Sequence, residues 1–213
     1  MNGYDFTFYG VPCRALPSGG LYLPDQDLFC ISDLHLGKSE RIARGGGAML
    51  PPYEVRDTLQ KLQDDIATTS ARTVICLGDS FDDTVAAHHL AEDMRLWLMG
   101  LQAGRKWIWI EGNHDPGPVD LGGAHLQSFQ TAGLVFRHIA TDATAEISGH
   151  YHPKHSLAGR SRPAFLVGDD RIIMPAYGAY TGGLRSNAPP VRALFDGPVT
   201  AVMTGRKALA VPV

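Results

Sequence analysis

The sequence predicts an α/β fold, and three observations carry that prediction. Apolar runs of strand length alternate with two stretches whose apolar residues recur at helical spacing. The 24 glycines and 14 prolines are spread along the chain and mark many turns. Five of the apolar runs are followed at once by Asp, Asn or His, and in α/β proteins ligands gather at the carboxyl ends of the strands.

The elements follow in order. Residues 6–9 and 21–23 are short strands near the start. Residues 27–31 (DLFCI) form a continuous apolar run, the pattern of a strand buried on both faces. Pro51 and Pro52 open a helix, with Pro52 near its first position, and Val55, Leu59, Leu62 and Ile66 give it one apolar face. Residues 73–77 are a second buried strand. Leu90, Met94, Trp97 and Leu101 repeat the helical spacing, and Gly104 suits that helix's end. Residues 107–110, 134–136 and 145–147 are the third, fourth and fifth strands of this series. From about Pro163 onward we expect strand and no helix, at residues 165–167, 172–174, 193–195, 199–203 and 209–211.

Composition narrows the functional classes. Hydrophobic residues are 44% and charged residues 19%, which excludes a disordered or fibrous chain. Lys plus Arg total 19 against 22 Asp plus Glu, a net charge of −3, so nucleic-acid binding would need a local patch. Cys13, Cys30 and Cys76 are odd in number and lack metal-ligand spacing, so they read as core residues in a reducing compartment. The first residues lack the apolar stretch of a secretory signal, and no run reaches the length of a membrane span. The 213 residues suit one domain over 1–213, and we expect it to be cytoplasmic.

The chemistry is concentrated at the strand ends. DLFCIS leads into Asp33 and His35, TVICLG into Asp79, and KWIWIEG into Asn113, His114 and Asp115. GLVFR leads into His138, and AEISG into His150 and His152. Polar residues are common where strands become loops, which explains one such residue but not nearly every one. Gly78, Gly112 and Gly149 stand beside them, where glycine permits close approach of the backbone to a ligand. Nitrogen and oxygen donors without sulfur suit Mn, Fe, Zn or Co. Two Asp, one Asn and four His suffice for two adjacent ions sharing one Asp, a pair suited to phosphoryl displacement.

The order Asp33-x-His35, Gly78-Asp79-x-x-Asp82, Gly112-Asn113-His114-Asp115, an isolated His, then Gly149-His150-x-His152 resembles the calcineurin-like metallophosphoesterases. Further stretches, LPSGGLYLPDQDLFCISDLHLGK, LPPYEVRDTLQKL, SGHYHP and MPAYGAYTGGL, resemble its ligase-associated bacterial subfamily over nearly the whole chain. The resemblance implies a β-sandwich flanked by helices on both faces, four layers αββα, with metals at the C-terminal ends of the strands. It implies that Asp33, His35 and His152 hold one metal, that Asn113, His138 and His150 hold the second, and that Asp79 bridges them. His114 would protonate the leaving oxygen, with Asp115 orienting its ring. For Asp82 two roles stay open, a hydrogen bond within the loops or contact with the chemistry. The implied cofactors are two divalent ions, Mn²⁺ first, with Fe, Zn or Co as other choices. The implied activity is hydrolysis of phosphodiesters by metal-bridged hydroxide, as a nuclease of DNA repair beside a DNA ligase, a helicase and an exonuclease. The same site would also serve a small nucleotide or sugar phosphate. A non-catalytic scaffold of this fold would show gaps in the motif set, and this chain has none.

Other residues carry weaker signals. Lys38, Arg41 and Arg160 are the candidates for gripping a phosphate backbone; Lys38, Arg41 and Arg44 share a short helical stretch. Arg162 and Arg185 read as solvated loop residues, and His155 as a surface residue that could touch substrate. His88 and His89 open the second helix, as solvent-facing or packing residues. Trp97, Trp107 and Trp109 belong to the core. For the isolated histidine, His138 ends an apolar run, whereas His125 sits in GGAHLQSF, a loop with no strand leading into it; His138 is therefore the ligand and His125 a loop residue. No Gly-x-x-x-x-Gly-Lys loop is present, so triphosphate chemistry of that type is not expected.

Overall fold

A computed structural model describes residues 2–46, 53–117 and 120–213. The helix-opening prolines Pro51 and Pro52 lie outside them. In chain order the first half holds β1 (Tyr4–Phe8), β2 (Val11–Ala15), β3 (Leu21–Leu23), β4 (Leu28–Ile31), α1 (Lys38–Arg44), α2 (Glu54–Thr69), β5 (Thr73–Leu77), α3 (Thr84–His88), α4 (Glu92–Gln102), β6 (Lys106–Ile110) and β7 (Ala124–Leu126). The second half holds β8 (Ser128–Thr131), β9 (Leu134–Arg137), β10 (Glu146–Ser148), β11 (Lys154–Leu157), β12 (Arg160–Val167), β13 (Arg171–Ile173), α5 (Pro189–Arg192), β14 (Thr200–Met203) and β15 (Leu209–Pro212).

The strands form two mixed sheets. The first runs β1-β2-β3-β4-β5-β6-β7, antiparallel up to β4 and parallel from there. The second runs β15-β14-β12-β13-β10-β9-β8, with β11 added beside β12. Its central strands β13, β10 and β9 are parallel. In the first sheet Ile31 stands beside Cys76 and Cys76 beside Trp109, so β4, β5 and β6 end at one level. That register brings the segments after them to a single rim.

Strand alternation sends alternate residues of the same strands into different cores. The inner faces meet between the sheets: Leu23, Cys30, Ile75 and Ile108 pack against Phe136, Ile147, Phe165 and Val202. The outer face of the first sheet, with Phe29, Ile31, Val74, Trp107 and Trp109, is covered by Leu59, Leu62 and Ile66 of α2 and Leu98 and Leu101 of α4. Each buried Leu, Ile or Phe contributes about 1.5–3 kcal/mol. The outer face of the second sheet carries Leu166, Ile173 and Met203 and is covered by Val191 of α5. All three cysteines are free and buried. Among the described residues, no helix is long and apolar enough to cross a membrane.

Several expectations are corrected. Residues 193–195 are a turn, not a strand. They follow α5, whose two prolines sit at its first positions and whose end is closed by the Ala193 N–H donating to Pro189 O. His88 and His89 do not open the second helix; they end α3, which Asp83 caps by accepting the Ala86 N–H at 2.6 Å. The second long helix starts at Glu92, so Leu90 precedes it while still packing on the same core. His125 is not in a loop. It lies on β7, a three-residue edge strand that exists through its pairing with β6. The strands β2, β8 and β11 were not expected; β8 and β11 are short and half exposed, without a buried apolar run.

Candidate metal centre

The rim gathers two groups of donors. In the first, Asp33, His35 and His152 bring ligand atoms within 4.8 Å of one another. His35 Nε2 lies 3.3 Å from His152 Nε2, and His152 Nε2 lies 3.1 Å from Asp33 Oδ1. In the second, Asp79, His138 and His150 meet the same limit. His138 Nε2 lies 3.3 Å from Asp79 Oδ2, 3.3 Å from His150 Nδ1 and 3.0 Å from Asn113 Oδ1. The groups adjoin: His138 Nδ1 is 3.9 Å from Asp33 Oδ1. The structure thus brings together all seven residues expected from the motifs, with His138 in the cluster and His125 stacked on Trp109 instead.

The chain bends sharply to present these groups. Five of the twelve non-glycine residues with positive φ among those described are Asp33, His35, Asp79, His150 and His152. Such conformations cost of order 1–3 kcal/mol each and persist where the surroundings impose them. The imposing contacts are close. A Cβ at Gly112 would stand 2.1 Å from the Asp79 nitrogen, and one at Gly149 would stand 1.7 Å from Ser32 Oγ. These glycines let the strand-end loops touch one another, rather than letting a ligand approach.

Charge and hydrogen bonding favour ionised carboxylates at Asp33 and Asp79. Burial works to raise the Asp33 pKa, but His152, His138 and Ser32 outweigh it and hold it below the ordinary value. Asp79 goes the same way, down to about 2, with His138 and His114 outweighing burial. Burial works to lower the His138 pKa, yet the Asp79 and Asp33 carboxylates raise it. Burial, with His138 beside it, lowers His150. His138 Nδ1 is 2.8 Å from Leu77 O, so that nitrogen donates its proton there and Nε2 keeps its lone pair toward the cluster.

The donor set fits divalent ions. Asp33 Oδ1 is buried without a well-aligned hydrogen bond. Two pairs of imidazole nitrogens face each other at 3.3 Å. Nitrogens each about 2.1 Å from one ion stand roughly 3.0–3.4 Å apart, which matches.

Three neighbours act on the cluster. His114, 40% exposed, sits at its edge with Nε2 4.0 Å from Asp79 Oδ2. Its Nδ1 is 3.0 Å from the Asp82 carbonyl. Asp115 therefore does not orient the His114 ring. Its carboxylate instead accepts the N–H groups of Asp79, Ser80, Phe81 and Gly112 at 2.9, 2.7, 3.2 and 3.1 Å. Burial and the Asp79 charge push the Asp115 pKa up to about 6, against the pull of those amides. Asp82 is fully buried, with Oδ1 2.9 Å from His35 Nδ1 and 3.6 Å from Lys38 Nζ, and with Oδ2 bonded to Arg41. Burial works to raise its pKa, but His35, Arg41 and Lys38 hold it far below normal.

The expected phosphate-gripping residues fare differently. Lys38 and Arg41 lie beside the cluster on α1 but are committed to Asp82. Arg160 is not brought to the cluster; it is exposed at the turn end of the β11–β12 hairpin, opposite Leu157. Sequence reasoning missed the Asp115 clamp. It also missed the buried contact of Lys61 with Tyr177 O at 2.5 Å, which holds the segment whose Tyr177 and Gly178 N–H groups bond Ser32 O and Asp33 O. No local sequence signal marks either.

The calcineurin-like phosphoesterase family model matches residues 28–156, more than half of the chain and every residue of both donor groups. The crystal structure of Pseudomonas putida nuclease MPE is similar over 100% of both chains, with a TM-score of 0.76 and 18% identity, a likeness of fold. No curated protein matches the chain. With its motifs, two-sheet fold and paired donor groups in accord, the chain belongs to the calcineurin-like phosphoesterase family and is a metal-dependent phosphoesterase.

Proposed function

We propose that the 1–213 domain is a phosphodiesterase acting on nucleic acid with two divalent ions, Mn²⁺ the first choice. The observation that carries this reading is the pair of adjoining donor groups, with His114 at their edge. Asp33, His35 and His152 would hold one ion, Asn113, His138 and His150 the other, and Asp79 would be shared. Bound there, such ions supply Lewis acidity to phosphoryl oxygens and lower the pKa of water. His114, acting in its doubly protonated form, moves the proton: the Asp82 carbonyl holds its Nδ1–H, so the proton it gives up is the one at Nε2 and the ring is left neutral. As the P–O bond to the leaving oxygen breaks, that proton goes to the leaving oxygen. Asp82 and Asp115 are positioning residues, one for His35 and one for the Asp79 loop.

The nuclease part is supported by the named neighbour and by the motif resemblance; a role in DNA repair beside a ligase rests on the resemblance alone. The net charge of −3 favours a second reading, a small nucleotide or sugar phosphate as substrate. The test is metal-reconstituted turnover of bis-p-nitrophenyl phosphate, p-nitrophenyl phosphate, single- and double-stranded DNA, RNA and cyclic nucleotides. We expect metal-dependent cleavage of the chromogenic diester and of nucleic acid. Turnover confined to cyclic nucleotides would select the second reading, and turnover of the monoester alone would overturn the diesterase assignment.

A further inference from the structure

Lys154 follows His152 by two residues, and a hollow of about 240 Å³ opens there between β11 and the loop after Gly178. Lys154, His155, Arg185, Ser186 and Asn187 line it, together with Ser156 and the apolar Val213, and none of these side chains is a carboxylate. The loop is fixed to the strand. Lys154 N–H donates to Leu184 O, Ser186 N–H donates to Lys154 O, and Lys154 Nζ reaches Thr181 O at 3.3 Å. His155 Nδ1 and Ser186 Oγ share a hydrogen bond of 2.8 Å, and Ser186 is buried. Two peptide units separate Lys154 from His152, so their Cα atoms stand at most about 7 Å apart.

The cations nearer the donor groups are already paired. Lys38 and Arg41 are met by Asp82, Arg44 by Glu40 and Asp83, and Arg137 by Glu146. Among the described residues, Lys154 and Arg185 have no carboxylate partner, and Arg185 has no side-chain hydrogen bond either. Two cations, a side-chain amide and a hydroxyl beside an ion-binding rim form a receptor for a phosphate. We propose that this hollow binds a backbone phosphate of a nucleic-acid strand flanking the scissile one, with Arg185 as its principal contact. The proposal rests on the nucleic-acid reading above. It moves the phosphate grip from Lys38, Arg41 and Arg160 to Lys154 and Arg185.

The test measures salt-dependent binding and metal-dependent cleavage of labelled single-stranded DNA and RNA, with bis-p-nitrophenyl phosphate in parallel. The variants are Arg185→Gln and Lys154→Gln. The control is Arg72→Gln, an exposed cation at the opposite end of β5. For Arg185→Gln we expect oligonucleotide affinity to fall about tenfold and the log–log salt slope to drop by about one. The loss in kcat/KM on the oligonucleotide should exceed the loss on the small diester by about tenfold. Arg72→Gln should change none of these. Wild-type affinity and slope in both variants, or equal losses on both substrates, would overturn the subsite. So would a wild-type protein that turns over the small diester but binds neither oligonucleotide. A wild-type protein inactive on the small diester with every metal would instead overturn the diesterase reading.

Discussion

Asp115 clamps Asp79. Its two carboxylate oxygens accept the amides of Asp79, Ser80 and Phe81, and one also accepts the Gly112 amide. The loop that carries Asp79 is thereby tied to the loop that carries Asn113 and His114. An orphaned buried donor costs about 1–3 kcal/mol. Asp115→Ala should lower stability by at least ~2 kcal/mol, a fall of several degrees in Tm, and weaken metal binding. Asp115→Asn keeps one acceptor oxygen and should fall between. Unchanged Tm and metal content, with turnover alone reduced, would restore the role of orienting His114.

Asp79→Ala should remove metal from both positions. Its Oδ2 faces His138 while its Oδ1 accepts the His114 N–H, so the carboxylate also ties the loop that carries His114 to the cluster. Elemental analysis of the purified variant checks this. Two equivalents held at wild-type affinity would end the bridging assignment.

His138→Ala should empty the second position and spare the first, because its Nε2 is the centre of the second group. His125→Ala should spare both, since its ring stacks on Trp109 with centroids 6.4 Å apart. Metal titration of the two variants decides, and the reverse pattern would exchange their roles.

The contrast between these two histidines shows where sequence reasoning succeeds. His138 follows an apolar run, and a side chain just past a strand end has its position set by the sheet. The same logic exposed Asp33, Asp79, Asn113 and His150. It failed where placement comes from distant partners. Ala-His-Leu of β7 has no strand pattern of its own, and β6 supplies the pairing. Lys38 and Arg41 look free beside the first motif, but the buried carboxylate that engages them arrives from the loop after β5. The family resemblance implies that Asp115 orients the His114 ring, yet the chain turns its carboxylate back toward amides more than thirty residues away.

His114→Ala should behave unlike the ligand variants. The ring stands at the cluster's edge and is held by a carbonyl, so metal content should stay near wild type. Turnover of a poor leaving group should fall by ~10²–10⁴. The loss should be smaller for p-nitrophenyl esters, whose leaving oxygen needs little protonation. Equal losses on both classes would argue against proton delivery.

Asp82→Asn tests a different layer of the site. The carboxylate is buried between His35 Nδ1, Lys38 and Arg41. A carboxylate at Nδ1 fixes the ring and leaves Nε2, the atom 3.3 Å from His152 Nε2, to bind metal. Losing such a partner typically costs 10–100-fold in metal affinity. Breaking a buried ion pair costs about 3–5 kcal/mol when the remaining charge stays buried. The stability loss here should be smaller, because the Arg41 side chain is 42% exposed and can turn to water. The first metal position should therefore weaken while the second, whose donors do not touch the Asp82 side chain, keeps its affinity. Competitive metal titration separates the two positions. Equal weakening of both would show that Asp82 supports the rim as a whole, and weakening of neither would show that it does not position His35.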